Sequence, residues 1–288
     1  MLSARYLTAS QIPFPAKVGQ YNEVGCGVQF LSFKDTCPGP VEIGDCNRIE
    51  DGVRILVGPG GFKMGDYNVI HNHCTIGGPG AFEMGHNCWF GQEVWLDSTG
   101  DLFLGNGVRV GVRSHVWSHM ASGEQIEGWK VVFRPTRLED DVWLVGDDVH
   151  VASGVTMGTR SAAMAHSTVT RNTVPDRVYA GTPAREVSFR LRRDVTLDEK
   201  RQMMDRWTDE FIQTRYGVAK QFAGFLYIDR DGDVLVIGAG SFDQKEGRPV
   251  TYFDLLSKTY TKRLTKLERD FVLFLYGNKA RFLPVEAL

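Results

Sequence analysis

No apolar run in this chain reaches the roughly 18 residues that a membrane span requires. The opening MLSARYLTASQIPFPAK lacks the apolar core of a secretory signal. CxxC pairs are absent and the five cysteines are odd in number, which argues for a reducing compartment over a disulfide scaffold. Neither charge is in excess: 33 Lys and Arg meet 35 Asp and Glu, a formal −2, so nothing points to nucleic-acid binding through bulk charge. These absences predict a soluble, cytoplasmic protein with no membrane span and no nucleic-acid partner.

Glycine, by contrast, is abundant and uneven. Of 32 glycines in 288 residues, 25 fall in residues 1–187 and 7 in residues 188–288. The charge balance shifts at the same place, from 15 basic and 20 acidic residues to 18 and 15. Two domains are therefore expected, spanning 1–187 and 188–288.

The first part is organised by a repeat. Ile43-Gly44-Asp45, Met64-Gly65-Asp66, Met84-Gly85-His86 and Leu104-Gly105-Asn106 align at spacings of 21, 20 and 20 residues. Within each block an aliphatic or aromatic residue recurs every six positions: Ile43, Ile49, Ile55; Met64, Ile70, Ile76; Met84, Phe90, Leu96; Leu104, Val110, Val116. A period of six is neither helical nor simple alternation. A short strand and a tight bend satisfy it, and three such units close a triangular coil that stacks on the next. The Gly, Asp, Asn and His residues after each apolar position suit left-handed or bridge-region bends. Small residues four positions on, Cys74, Cys88, Val94, Val108 and Ser114, are expected to point inward.

That pattern assigns bland roles to several reactive residues. His86 falls in the bend column of Asp45, Asp66 and Asn106, Cys74 and Cys88 are core filler, and His71 and His73 are surface-turn residues. Trp89 and Trp95 face outward, as residues of an interface would. The rhythm breaks once: residues 120–137, MASGEQIEGWKVVFRPTR, form a projecting loop of the kind that serves function. It resumes at Leu138 and ends at Pro175.

Val142-Trp143-Leu144, Ser153-Gly154-Val155-Thr156, Ser167-Thr168-Val169-Thr170-Arg171, Val174-Pro175 and Tyr179-Ala180-Gly181-Thr182-Pro183-Ala184-Arg185 resemble the terminal coils and exit segment of the hexapeptide-repeat acyltransferases. Within that family they look like the galactoside, maltose and capsule-sugar O-acetyltransferases. The resemblance covers about residues 24–187. It implies a left-handed parallel β-helix of hexapeptide repeats. Residues 188–288 find no counterpart in the short acetyltransferases and read from their own pattern as a small α+β domain, so a mainly β chain is expected. It also implies acetyl-CoA as co-substrate with no metal, a carbohydrate acceptor, and a homotrimer with sites between subunits. Two departures stand out. Val145 precedes Gly146, lengthening that coil by one residue, and His119 follows Ser118 directly, where the family's histidine sits a few residues further on.

Acetyl transfer from a thioester to a hydroxyl needs a base for the alcohol proton and donors for a transient oxyanion. No covalent intermediate is needed, and one histidine suffices. The base expected here is His119, before the loop, with His115 as competitor. Asp97, one coil below Trp117, and Glu124 in the loop are alternatives for orienting it. His115 and Trp117 are expected to bind substrate. The resemblance implies that Trp143, Gly146, Ala165, Thr170, Arg171 and Arg185 line the coenzyme groove, small residues admitting the pantetheine and the basic pair meeting phosphates.

Residues 196–216 read as an amphipathic helix opened by a Thr-x-x-Glu capping box, with Met203, Trp207 and Phe211 on one side. Phe222–Ile237 reads as a hairpin whose DRDGD is a turn, since the bidentate Glu of a calcium loop is missing. Thr251–Tyr260 is expected as one strand and Lys266–Tyr276 as a helix. Two other functions remain open at this point: a γ-class carbonic anhydrase using His86, His115 and His119, and a catalytically inactive repeat scaffold.

Overall fold

The computed structural model describes residues 5–34, 36–121, 123–215, 218–222, 224–230, 232–240, 242 and 250–286. Tyr216, the expected end of a helix, together with Ala223 and Asp231 in the expected hairpin, lie outside the described residues. The chain divides into two compact units, residues 1–191 and 192–288.

The first unit is a three-sided parallel β-helix. Its faces are sheets of seven, ten and seven strands, and nearly all pairing is parallel between successive coils. The six-residue arithmetic sets the register. On face I, Ile43 pairs with Met64, Met64 with Met84, Met84 with Leu104, and Leu104 with Leu138. On face II, Ile49, Ile70, Phe90, Val110 and Leu144 stack in turn. Face III carries Ile55, Ile76, Leu96, Val116 and Val151. All of these side chains are buried, as are Cys74, Cys88, Val94, Val108 and Ser114 between them. The expected fold class, a left-handed hexapeptide β-helix with a small α+β domain, is the one observed. The ends are closed by antiparallel pairs, Arg5–Tyr6 on Glu23–Val24 and Ala184–Val187 on Val178–Gly181, which leave fewer open edges.

The bends differ from expectation by one residue. On faces I and II the left-handed conformation falls on the third residue after the apolar position, at Cys46, Tyr67, Asn87 and Asp141, and at His73, Glu93, Arg113 and His166. The Gly-Asp positions before it do something else. The Asp66 carboxylate accepts from the Asp45 N–H (2.7 Å), His86 Nδ1 from the Asp66 N–H (2.9 Å), and the Asn106 amide oxygen from the His86 N–H (2.9 Å). This corner ladder ties each coil to the next, and His86 is absorbed in it. The glycine is there because the next coil presses on it: a Cβ on Gly85 would lie 3.0 Å from Asn106 N. Gly85→Ala is therefore expected to cost about 1–3 kcal/mol, read as a shift in denaturation midpoint without loss of fold.

A second ladder is buried. Asn47 donates its backbone N–H and its amide to Asn22 Oδ1 (both 2.9 Å), and its own Oδ1 accepts from the N–H (2.8 Å) and amide (3.0 Å) of Asn68. Asn68 Oδ1 in turn accepts from the Cys88 N–H.

Two irregularities position the site. Where Val145 is inserted, Val110 still pairs with Leu144 but Val112 pairs with Asp147, a β-bulge. The loop leaves at the corner between faces III and I. His119–Met120 pairs antiparallel with Val132–Phe133, and the chain rejoins face I at Thr136–Leu138, two residues before the expected end of the loop.

In the second unit, α1 (Leu197–Arg215) starts at the expected capping box, with the Glu199 carboxylate accepting from the Thr196 N–H (2.8 Å). Its buried stripe is Met204, Thr208 and Phe211, while Met203 and Trp207 are half-buried. A six-stranded sheet follows, ordered Val218–Phe222, Phe225–Arg230, Asp233–Gly238, Val250–Asp254, Thr259–Lys262 and Leu283–Glu286. The expected single strand over 251–260 is two, because Asp254 accepts from the N–H groups of Leu256 and Ser257 and Lys258 turns left-handed. The helix α2 (Lys266–Tyr276) forms as expected. Phe253 at the centre meets Tyr260, Phe271 and Phe282 at ring separations of 5.1–5.3 Å. No helix among the described residues is long and apolar enough to cross a membrane.

Candidate functional site

His119 stands at the III–I corner where the loop departs. Its Nδ1 lies 2.8 Å from Asp97 Oδ2, with the carboxylate 7% and the imidazole 31% exposed. An ionised carboxylate only accepts, so this bond assigns the proton to Nδ1 and leaves the Nε2 lone pair free. Asp97 is itself held on four sides. Oδ2 also accepts from the Ser118 N–H and hydroxyl (both 2.9 Å), and Oδ1 accepts from the Thr99 N–H (3.2 Å) and hydroxyl (2.5 Å). Burial alone would push this carboxyl up. The bonds from Thr99, His119 and Ser118 outweigh it and hold the group below its ordinary range, so it stays charged.

The parallel register brings these groups together. Leu96 pairs with Val116, so Asp97 lies beside Trp117 one coil below and the next two residues meet it. The corner is anchored by Thr136, whose buried hydroxyl donates to the Trp117 carbonyl (2.7 Å) and accepts from the Gly154 N–H (3.0 Å). Phe133, brought back by the loop, lies nearly parallel to the His119 ring at 6.3 Å.

His115 and Trp117 extend the site across the outer side of face III. Trp117 is 5.9 Å from both the His115 and His119 rings and 6.4 Å from Trp95. His115 packs edge-on to His150 at 4.8 Å. Burial first, then the neighbouring His150, push the His115 imidazole below its ordinary value, against a smaller opposing effect of Asp148. The sign follows: the unfolded chain binds the proton more readily, so stability falls as pH drops below about 6.5 towards the folded value. His150→Gln is expected to reduce that loss, measured as denaturation midpoints at pH 7.5 and 5.5.

The remaining expected residues are dispersed. Glu124 is exposed in the loop, and among the described residues its carboxylate has no hydrogen-bond or ion-pair partner. Trp143, 41% exposed, stands on face II, paired with Arg109 and Ala162. Gly146, with φ of 81°, and Ala165 sit side by side at the II–III corner, where a Cβ on Gly146 would lie 3.0 Å from the Ala165 methyl. The exit segment folds onto this corner, with the Thr182 hydroxyl donating to the His166 carbonyl (3.2 Å). Thr170 and Arg171 are exposed after the last face III strand, and Arg185 is exposed with its guanidinium on the Ala184 carbonyl. Thr99, Ser118, Phe133 and His150 were not singled out in the sequence. Thr99, two residues from Asp97, was the readable signal; His150 was hidden by the loop and the bulge.

The three histidines of the anhydrase alternative do not converge within the chain. His86 serves the corner ladder, His115 lies on face III and His119 binds Asp97. Among the described residues, the group whose ligand atoms approach within 4.8 Å is the unrelated Asp147, Asp148 and His166, where Arg113 already binds both carboxylates.

No family model and no curated protein matches the chain. Solved structures do. A hexapeptide-repeat-containing acetyltransferase from Vibrio cholerae is 23% identical, with 50% of this chain and 73% of that one covered and a TM-score of 0.32. The same enzyme in complex with acetyl coenzyme A is 22% identical, with 58% and 73% covered and a TM-score of 0.32. A variant of AntD, an N-acyltransferase from Bacillus cereus, in complex with dTDP and coenzyme A, is 18% identical, with 74% and 100% covered and a TM-score of 0.46.

Proposed function

We propose that the protein is an acetyl-CoA-dependent acyltransferase that acetylates a hydroxyl of a carbohydrate, a polysaccharide or its precursor. The observation that carries this is the His119–Asp97 pair beside the open corner. His119 Nε2 takes the acceptor proton as the oxygen attacks. Asp97 fixes the ring and its tautomer and stabilises the imidazolium that forms. The coenzyme, when bound, supplies an acetyl thioester with a good thiolate leaving group, so no nucleophilic side chain is required.

The donor set fits the coenzyme. Gly146 and Ala165 make a corner without bulky side chains, the Trp143 indole offers an apolar wall, and Thr170, Arg171 and Arg185 are exposed for polar contacts. His119 belongs to the III–I corner and Trp143 to face II of the same prism. A site that uses both would draw them from two copies, and the assembly proposed for it is a homotrimer with its sites between subunits.

The bond formed tests the hydroxyl assignment. Product from a mixture of simple sugars and amino sugars is expected to be an ester, released by mild alkali. An alkali-stable amide as the main product would make the protein an N-acyltransferase instead.

A further inference from the structure

The outer side of face III carries a strip that the proton-transfer chemistry does not use. Its first column runs Thr75, Trp95, His115, His150 and Thr168, one residue per coil in continuous parallel register, with Arg54 one coil before Thr75. Trp117 stands beside it in the second column, and Phe133 closes the end at His119. Trp95 is 43% exposed and its ring is inclined only 27° to that of Trp117. Such a surface is costly to leave in water without a ligand.

We infer that this strip is the seat of the acceptor, and that it holds an uncharged sugar ring: Trp117 and Trp95 stack on the ring's C–H face while His115 and His150 hydrogen-bond its hydroxyls. The inference rests on the proposed acyl transfer and names the part of the site that selects the acceptor. Three observations argue for it. The strip is continuous with the base, since Trp117 packs against both His115 and His119 at 5.9 Å. A sugar on the Trp117 ring therefore has a hydroxyl within reach of the corner. The electron-rich ring faces attract the electron-poor C–H groups of a pyranose. The polar groups in the strip are uncharged when the imidazoles are neutral, each offering one donor and one acceptor as a hydroxyl does. Asp97, the carboxylate at its edge, is filled by Thr99, Ser118 and His119. Between Thr75 and Thr168 the column thus offers no cationic side chain to a uronate or a phosphate while its imidazoles are neutral. The nearest cations are at its two ends, Arg54 paired with Thr75 and Arg134 next to Phe133, both exposed.

Two measurements test this on the full chain. Saturation-transfer NMR without acetyl-CoA reads contact with methyl β-galactopyranoside, methyl β-glucopyranoside, glucuronate and uridine diphosphate. Transfer to C–H protons of an uncharged glycoside, weakened in Trp117→Leu and in His150→Gln, is the expected result. Transfer mainly to glucuronate or to the uracil ring, or transfer unaffected by both substitutions, overturns the inference. Because no coenzyme is present, sugar contact without any acetyl transfer would sink the proposed function and leave the seat standing. In steady state, Trp117→Leu is expected to raise the acceptor KM about five- to tenfold, with a smaller effect on kcat. Acetyl transfer with unchanged KM in both variants would leave the function standing and sink the seat. Trp95→Glu that dissociates the oligomer while sugar contact persists would show the strip to be a subunit interface, and would also overturn it.

Discussion

His119→Ala is expected to lower kcat/KM for acetyl transfer by about 100- to 10,000-fold, the usual contribution of a positioned base. Affinity for acetyl-CoA, measured by equilibrium binding, is expected to change little, because Trp143, Gly146 and Ala165, proposed for the coenzyme groove, lie on face II and at the II–III corner. Asp97→Asn is expected to approach the same loss. Asp97 Oδ2 accepts three bonds, from the Ser118 N–H and hydroxyl and from His119 Nδ1–H. An amide offers one acceptor oxygen; turned to Thr99 it sets its NH2 against three donors, and turned to His119 it strands the Thr99 pair. Either way the imidazole loses the partner that fixes its tautomer. The double variant is expected to be no worse than His119→Ala alone, since the two residues act as one unit.

Asn47→Ala is expected to destabilise the β-helix by about 2–5 kcal/mol. The side chain has no solvent-exposed role: Asn47 is buried between two other asparagines, accepting two bonds from Asn68 and donating one to Asn22. Alanine leaves the buried N–H and amide of Asn68 without that acceptor and opens a small void. Denaturant midpoints monitored on the β-helix transition give the loss. A change below about 0.5 kcal/mol would place the ladder's value in the backbone pairing alone.

The β-helix was legible because its rule is local. One apolar residue in six is arithmetic along the chain, and the same arithmetic stacks Asp97 beside Trp117 and carries His119 to the same edge. What the rule does not encode was missed. Glu124 and Asp97 were equal alternatives in the sequence, since a projecting loop has no register; the structure pairs Asp97 with His119 and leaves Glu124 in solvent. His150 aligns with His115 only after the loop and the bulge at Val145 are both counted. In the second unit, no repeat constrains the reading. The capping box fixed the start of α1, but packing decided that Met204 and Thr208, and not Met203 and Trp207, lie innermost. The 251–260 segment has strand composition throughout, and the Asp254 side chain that breaks it acts through three-residue hydrogen bonds that β propensity does not register.

The measurement that tests the central claim most directly is acceptor-dependent release of free thiol from acetyl-CoA by the full-length protein, with His119→Ala in parallel. Thiol released in equal amount to acetylated sugar, and suppressed in the variant, is the expected result. Thiol release that needs no acceptor, or that proceeds at the same rate without the His119 imidazole, would contradict it.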